Sequence, residues 1–167
     1  MSRSPFLVNV SDLLSRNVSS RPEVIEASVD WSVDLIGVEP DPPLRADLVL
    51  HPVSGGIAVT GSVSFTSHEA CVRCLATSTT ERVVTVGALF DRSGDEESYP
   101  LQGHEIDVEQ MLRDEVILSL PIAHTCGDQC PGLVTSAGSD LNTGSSGDEG
   151  DTRSPFAVLK DLLDLED

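Results

Sequence analysis

Positive charge is what this chain has least of. A single lysine, Lys160, and nine arginines face 28 acidic side chains over 167 residues, for a formal net charge of -18 and a sequence pI near 4.3. Binding to a phosphate backbone draws its free energy from Lys and Arg displacing condensed counterions, so direct, non-specific nucleic-acid binding is not expected of this composition. The matching partners are basic proteins, and the same acidity also keeps a protein soluble. Long apolar runs are missing too: none approaches the roughly 20 residues of a membrane span, and "MSRSPFLVNV" has neither the apolar stretch nor the cleavage pattern of a signal peptide. The expected location is the cytoplasm. Also absent are a Ser-His-Asp signature, an HExxH motif and a Gly-rich loop followed by the Lys and helix of a phosphate cradle, and no enzymatic activity is expected. Gly55 and Gly56 read as a turn, and Asp95 to Glu97 as a solvated acidic loop.

The acidity is uneven. Residues 1–90 hold 6 basic and 10 acidic side chains, net -4, whereas residues 91–167 hold 4 and 18, net -14. In "VIEASVDWSVDLIGV", Ile25, Ala27, Val29, Trp31, Val33 and Leu35 alternate with polar residues, which predicts one half-buried strand. Ala46, Leu48 and Leu50, a turn at Ser54, Gly55 and Gly56, and then Ile57, Val59, Val63 and Phe65 predict a hairpin. Val84, Val86, Ala88 and Phe90 predict a further strand leading into the acidic loop 91–100. "VNVSDLLSR" reads as a short strand and a helical turn capped by Ser11, with Leu13 and Leu14 inward. Val108, Met111, Leu112, Glu115, Val116 and Leu120 lie at helical spacing, with one polar interruption, before Pro121, predicting a helix of about three turns.

"TGSSGDEGDTRS", residues 143–154, can bury almost nothing and is expected to be a flexible acidic linker. Beyond it, 155–167 has the pattern of an amphipathic helix with Phe156, Leu159, Leu162 and Leu163 along one side. Residues 1–142 are then one domain, read as α+β: an antiparallel, strand-rich sheet or partial barrel, from about residue 24 to 90, packed with one central helix near 107–119 and flanked by short N- and C-terminal helices.

Four cysteines remain, in two close pairs: Cys71 and Cys74 in "ACVRCL", Cys126 and Cys130 in "TCGDQCPGL". In a reducing compartment such pairs point to metal or redox chemistry rather than structural disulfides. Zinc takes four ligands in a tetrahedron, and a gap of two to four residues lets one chain turn present two thiolates to the same ion. The four sulfurs are therefore candidate zinc ligands, with His124 as a possible substitute and Arg73 available to offset thiolate charge. A thioredoxin-like site needs its CxxC at a helix N-terminus, whereas "CVRCLATSTT" is poor in helix formers and lies between predicted strands. Reduced, unliganded thiols are the third reading.

The succession of a strand-rich half, "CVRCL", an acidic loop, "IDVEQMLRDEVILSLPI", "CGDQCPGL" and "DLN" resembles the YceD family, the large ribosomal RNA subunit accumulation proteins. The resemblance spans nearly the whole chain and is most specific at 71–75, 113–122 and 130–133. Members of this type continue "C-x-GLC-x2-CG-x-DLN", and this chain departs from that pattern, with Val134 and Ala137 where two further cysteines would stand. The resemblance implies a non-enzymatic factor for synthesis, processing or accumulation of 23S ribosomal RNA. Taken with the charge, it implies work through basic ribosomal or rRNA-processing proteins. The competing class is a small zinc-binding or thiol redox-sensing module.

Overall fold

The computed structural model describes residues 4–15, 18–93 and 98–132. The chain divides into two units. Every element below lies in the first, Met1–Pro131, and the second, Gly132–Asp167, falls outside the described residues apart from its first glycine. The expected linker 143–154, the expected helix 155–167, and Val134 and Ala137 are all outside the described residues.

The backbone of the fold is one long hairpin. Strands β6 (Gly56–Ala70) and β7 (Thr77–Asp91) each run 15 residues and pair antiparallel without a slip from Gly56↔Asp91 to Ala70↔Thr77. One face of the ribbon turns inward along β6 and the later part of β7, whereas residues 77–81 of β7 are exposed. Along its first half that face is apolar, with Ile57, Val59, Val63, Phe65, Val86 and Phe90 buried. Each fully buried side chain of this size contributes about 1.5–3 kcal/mol.

The free edge of β6 is shared by two partners. Its first half takes β5 (Leu44–Val53), joined to it by the two-residue turn Ser54–Gly55, in which Gly55 has φ 92°. Its second half takes β4 (Ile36–Val38). β2 (Arg21–Ala27) lies on the far side of β5, and β3 (Ser32–Val33) on the far side of β4. Beyond β7 come β8 (Tyr99–Gln102), β9 (Glu105–Asp107) and finally β1 (Leu7–Asn9).

Two helices complete the described residues. The single turn α1 (Ser11–Leu14) places Leu13 in the core, and α2 (Glu109–Ser119) buries Met111, Leu112 and Val116, touching β7. Ser11 does not cap α1; its N–H and hydroxyl instead donate to Asn9 Oδ1 at 3.1 and 2.7 Å.

The expected α+β class, an antiparallel sheet packed with a central helix, is corrected on two counts. The architecture is a strand-rich, curled half-barrel, with only an 11-residue and a 4-residue helix among the described residues. Its sheet is mixed, because β8 joins β7 in parallel through Phe90↔Tyr99 and Asp91↔Pro100. After Asp91 the chain loops round and returns in the direction of β7, which brings the Tyr99 ring onto Phe90 with centroids 5.4 Å apart. Alternation within a strand reports which face is buried and says nothing of a neighbour's direction. The single strand expected over 25–35 is also broken. Asp34, at φ 50°, and Leu35 form the turn of a β3–β4 hairpin, so Ile25, Ala27, Val29 and Trp31 are buried while Val33 and Leu35 are exposed.

Candidate metal centre

The tip of the β6–β7 hairpin carries the first cysteine pair. Cys71 follows directly on β6 and is buried; its N–H donates to the Ala76 carbonyl at 2.9 Å and its own carbonyl accepts from the Leu75 N–H at 2.8 Å. This tight loop turns Leu75 into the left-handed region, φ 61°, and aims the Arg73 N–H at Cys71 Sγ, 3.4 Å away. The second pair follows α2. Gly127, at φ 93°, allows the chain to reverse directly after Cys126, and the Cys130 N–H closes the turn on the Gly127 carbonyl at 3.2 Å.

The two loops face each other. Cys71 Sγ stands 3.7 Å from Cys130 Sγ, Cys74 Sγ stands 3.6 Å from Cys126 Sγ, and all four sulfurs lie within 4.8 Å of one another. Neither pair is bonded as a disulfide. Four thiolates about 2.3 Å from one ion at the corners of a tetrahedron would stand about 3.8 Å apart. The cluster therefore has the donor chemistry and close to the spacing of a four-thiolate metal shell, and could hold an ion with little movement.

Electrostatics separate Cys71 from Cys74 and Cys126. The Arg73 N–H, followed by those of Cys126 and Cys74, stabilises the Cys71 thiolate and brings that group down to about 5. The neighbouring thiols of Cys130 and Cys74 push Cys126 up to about 12. For Cys74 the Ala76 N–H acts downward, but burial and the thiols of Cys71 and Cys130 leave it above the ordinary value. Without a metal the surroundings favour a thiolate at Cys71 and disfavour one at Cys74 or Cys126. A bound cation reverses that penalty by deprotonating its ligands.

His124 is not among the converging groups. Its ring links side chains of β6 and β7, with Nδ1 3.0 Å from Glu69 Oε2 and Nε2 3.1 Å from Ser78 Oγ. Its carbonyl accepts from the Val72 N–H at 2.9 Å, and residues 71 and 124 form a parallel bridge. His124 therefore joins the segment leading to Cys126 and Cys130 to the strand leading to Cys71.

This junction rests on a buried polar set that the sequence reading missed. Ser67 and Glu69 occupy inward positions of β6, continuing the register of Val63 and Phe65, and are 0 % and 2 % exposed. Arg82 and the exposed Ser78 lie on β7 opposite Phe65 and Glu69. Arg82 Nε donates to Ser67 Oγ at 3.0 Å and to Glu69 Oε1 at 3.1 Å, its Nη2 also pairs with Glu69, and Ser67 Oγ donates to Glu69 at 2.7 Å. Burial alone would raise the Glu69 carboxyl, but the bonds from Arg82 and Ser67 overcome it and hold the group below its usual value. The signal was present in the sequence: a glutamate in register with core residues, two positions before a CxxC.

The family model described as "Large ribosomal RNA subunit accumulation protein YceD" matches residues 59–163, which include all four cysteines and the Glu69 set. An uncharacterized protein of Mycobacterium leprae is 31% identical over 155 residues, covering 83% of this chain and 68% of its own length. Uncharacterized proteins of Mycobacterium bovis and Mycobacterium tuberculosis are 30% identical over 148 residues, covering 83% of this chain and 72% of theirs. No solved structure matches.

Proposed function

The chain belongs to the YceD family, and from that membership we propose that it is a non-enzymatic ribosome-biogenesis factor, supporting synthesis, processing or accumulation of 23S ribosomal RNA through protein partners. The family match is the observation that carries this reading. Charge supports the route through proteins: at a net -18 with one lysine, basic ribosomal or rRNA-processing proteins are better matched than RNA itself. The cysteine cluster supports a structural role, since four protein thiolates would fill a tetrahedral shell and leave no open position for a substrate. Deleting the gene in the source organism tests the proposal. We expect 23S RNA and large subunits to fall relative to 16S RNA and small subunits, with recovery on re-expression. Unchanged ratios would end it.

The ion best suited to this shell is zinc, which prefers closed thiolate tetrahedra and adds no redox chemistry, although iron shares the geometry. The close sulfurs also favour a second reading, a small zinc-binding or thiol redox-sensing module. Elemental analysis of protein purified without chelator separates a zinc centre, which either reading allows, from a redox sensor. About one zinc per chain supports the structural centre, whereas metal-free protein that forms disulfides under mild oxidant supports the sensor.

A further inference from the structure

Beside the cysteine cluster the surface turns apolar. Two hollows of about 320 and 440 Å³ lie along α2 and share Val33 and Ile117 as walls. The β3–β4 turn contributes Val33 and Leu35, the CxxC loop contributes Val72, and the end of α2 and the residues after it contribute Leu118 and Ile122. Leu118 and Ile122 are 82 % and 105 % exposed, and Val33, Leu35 and Val72 are 49 %, 43 % and 46 % exposed. Isolated exposed aliphatics are ordinary, but five gathered around one groove form the kind of patch that marks an interaction site.

The rim of the same groove is acidic. Asp34 borders one hollow, and Asp114 and Glu115 border the other together with Arg113. Asp114 accepts a hydrogen bond from the Tyr99 hydroxyl at 3.0 Å, which fixes that part of the rim against β8. An apolar floor with carboxylates at its margin suits an apolar segment flanked by cations. It suits other occupants poorly: RNA and anionic lipid headgroups meet like charge, and a second copy of this chain brings the same rim and another net -18.

We infer that this groove seats a short apolar segment flanked by lysine or arginine, supplied by a partner protein. The inference deepens the proposed function and rests on its reading of a factor that works through basic proteins. Leu118 and Ile122 project almost wholly into solvent, so they are available to contact such a segment without being needed for the core.

Fluorescence binding assays on the full chain test this with synthetic peptides of about sixteen residues. One set has a Leu/Ile core flanked by lysines, one the same core flanked by glutamates, and one a serine core flanked by lysines. A fourth set tiles the large-subunit ribosomal proteins of the source organism. We expect the lysine-flanked apolar peptide to bind at least about tenfold more tightly than the other two designed peptides. The Leu118→Ser, Ile122→Ser double variant should lose at least about tenfold in affinity, whereas Val83→Ser, altering an exposed valine elsewhere, should not. Melting curves of both variants confirm that the fold is retained. If the designed peptide behaves this way and no ribosomal peptide binds, the groove stands and its ribosomal assignment falls. If a ribosomal peptide binds the double variant as tightly as the original chain, the groove inference is overturned and the ribosomal reading survives. Failure of every peptide overturns the groove, as does binding of 23S RNA or phosphatidylglycerol vesicles that the double variant abolishes.

Discussion

Glu69 shows how one residue can set the geometry of another's chemistry. It is a carboxylate on the inward face of a strand, held charged by Arg82 and Ser67, and it fixes the His124 ring through which the second cysteine loop is attached. Glu69→Gln keeps the shape but removes the charge that Arg82 faces. Stability should fall by about 1.5–3 kcal/mol in urea unfolding, the range for hydrogen bonds to charged groups. Because the folded carboxyl titrates below its usual value of 4.5, its contribution is complete above that pH and is lost as pH falls through the lower folded value. The variant should therefore have a flatter acid limb than the original chain. A partner that orients a ligand segment also tunes the metal, so zinc affinity in Glu69→Gln should drop about 10–100-fold in a competition assay with a chromophoric chelator. A second residue-scale prediction concerns the metal-free thiols. Ultraviolet thiolate absorbance should show one group titrating near 5 and missing in Cys71→Ser, while Cys126 resists ionisation up to about 12. The folded value of Cys71 lies below the ordinary 9.0, so its stabilising contribution is full above pH 9.0 and is lost as pH falls through about 5. The spacing of the cysteines made them legible as a candidate ligand set from sequence. Glu69 stood in a core register and His124 was a candidate ligand, but their pairing was not legible, because it is a contact between residues 55 positions apart that no local pattern reports.

At the scale of elements, the long β6–β7 ribbon does two jobs with one alternation. Its first half packs the core, and its second half carries the same face out to the polar set and the cysteine tip. This works only while the register is held, and at Gly61 the backbones of β5 and β6 approach closely: a Cβ there would meet the Asp47 carbonyl oxygen of β5 at 2.2 Å. Gly61→Ala should force β5 away from β6 and destabilise by about 2 kcal/mol or more, within the range for a strained backbone contact. Gly87→Ala, on the neighbouring strand, has no contact closer than 4.0 Å and should stay within about 0.5 kcal/mol. Thermal melts of the two variants check the contrast. The hairpins and the helix could be read from sequence because turn glycines and a continuous period mark them locally. Two features could not. The Asp34–Leu35 turn contains no glycine or proline, so the alternation runs across it and reads as a single strand. The parallel docking of β8 depends on the path of the loop after Asp91 and leaves no trace in the periodicity of either strand.

Over the whole molecule, charge and metal act on different properties. A four-thiolate ion would link loops more than 50 residues apart in sequence, Cys74 to Cys126 and Cys71 to Cys130, and its binding free energy adds to folding because the unfolded chain has no such site. Chelation should therefore lower the melting temperature of the metal-loaded chain, and the Cys71→Ser protein should melt at the same temperature with or without chelator. Net charge bears on association instead. With -14 of the -18 concentrated after residue 90, the protein presents a strongly one-signed field to any approaching partner. Such a field accelerates encounter with a basic protein and is screened over about 8 Å at physiological salt. Association with basic ribosomal or processing proteins should then slow markedly as salt is raised, while dissociation, governed by apolar contacts such as those proposed for the groove, changes much less. Surface-plasmon measurements across a salt series separate the two rates. A salt dependence confined to dissociation would place the charges inside the contact rather than around it. Salt-insensitive, tight binding to naked ribosomal RNA would remove the reason for expecting a protein partner at all.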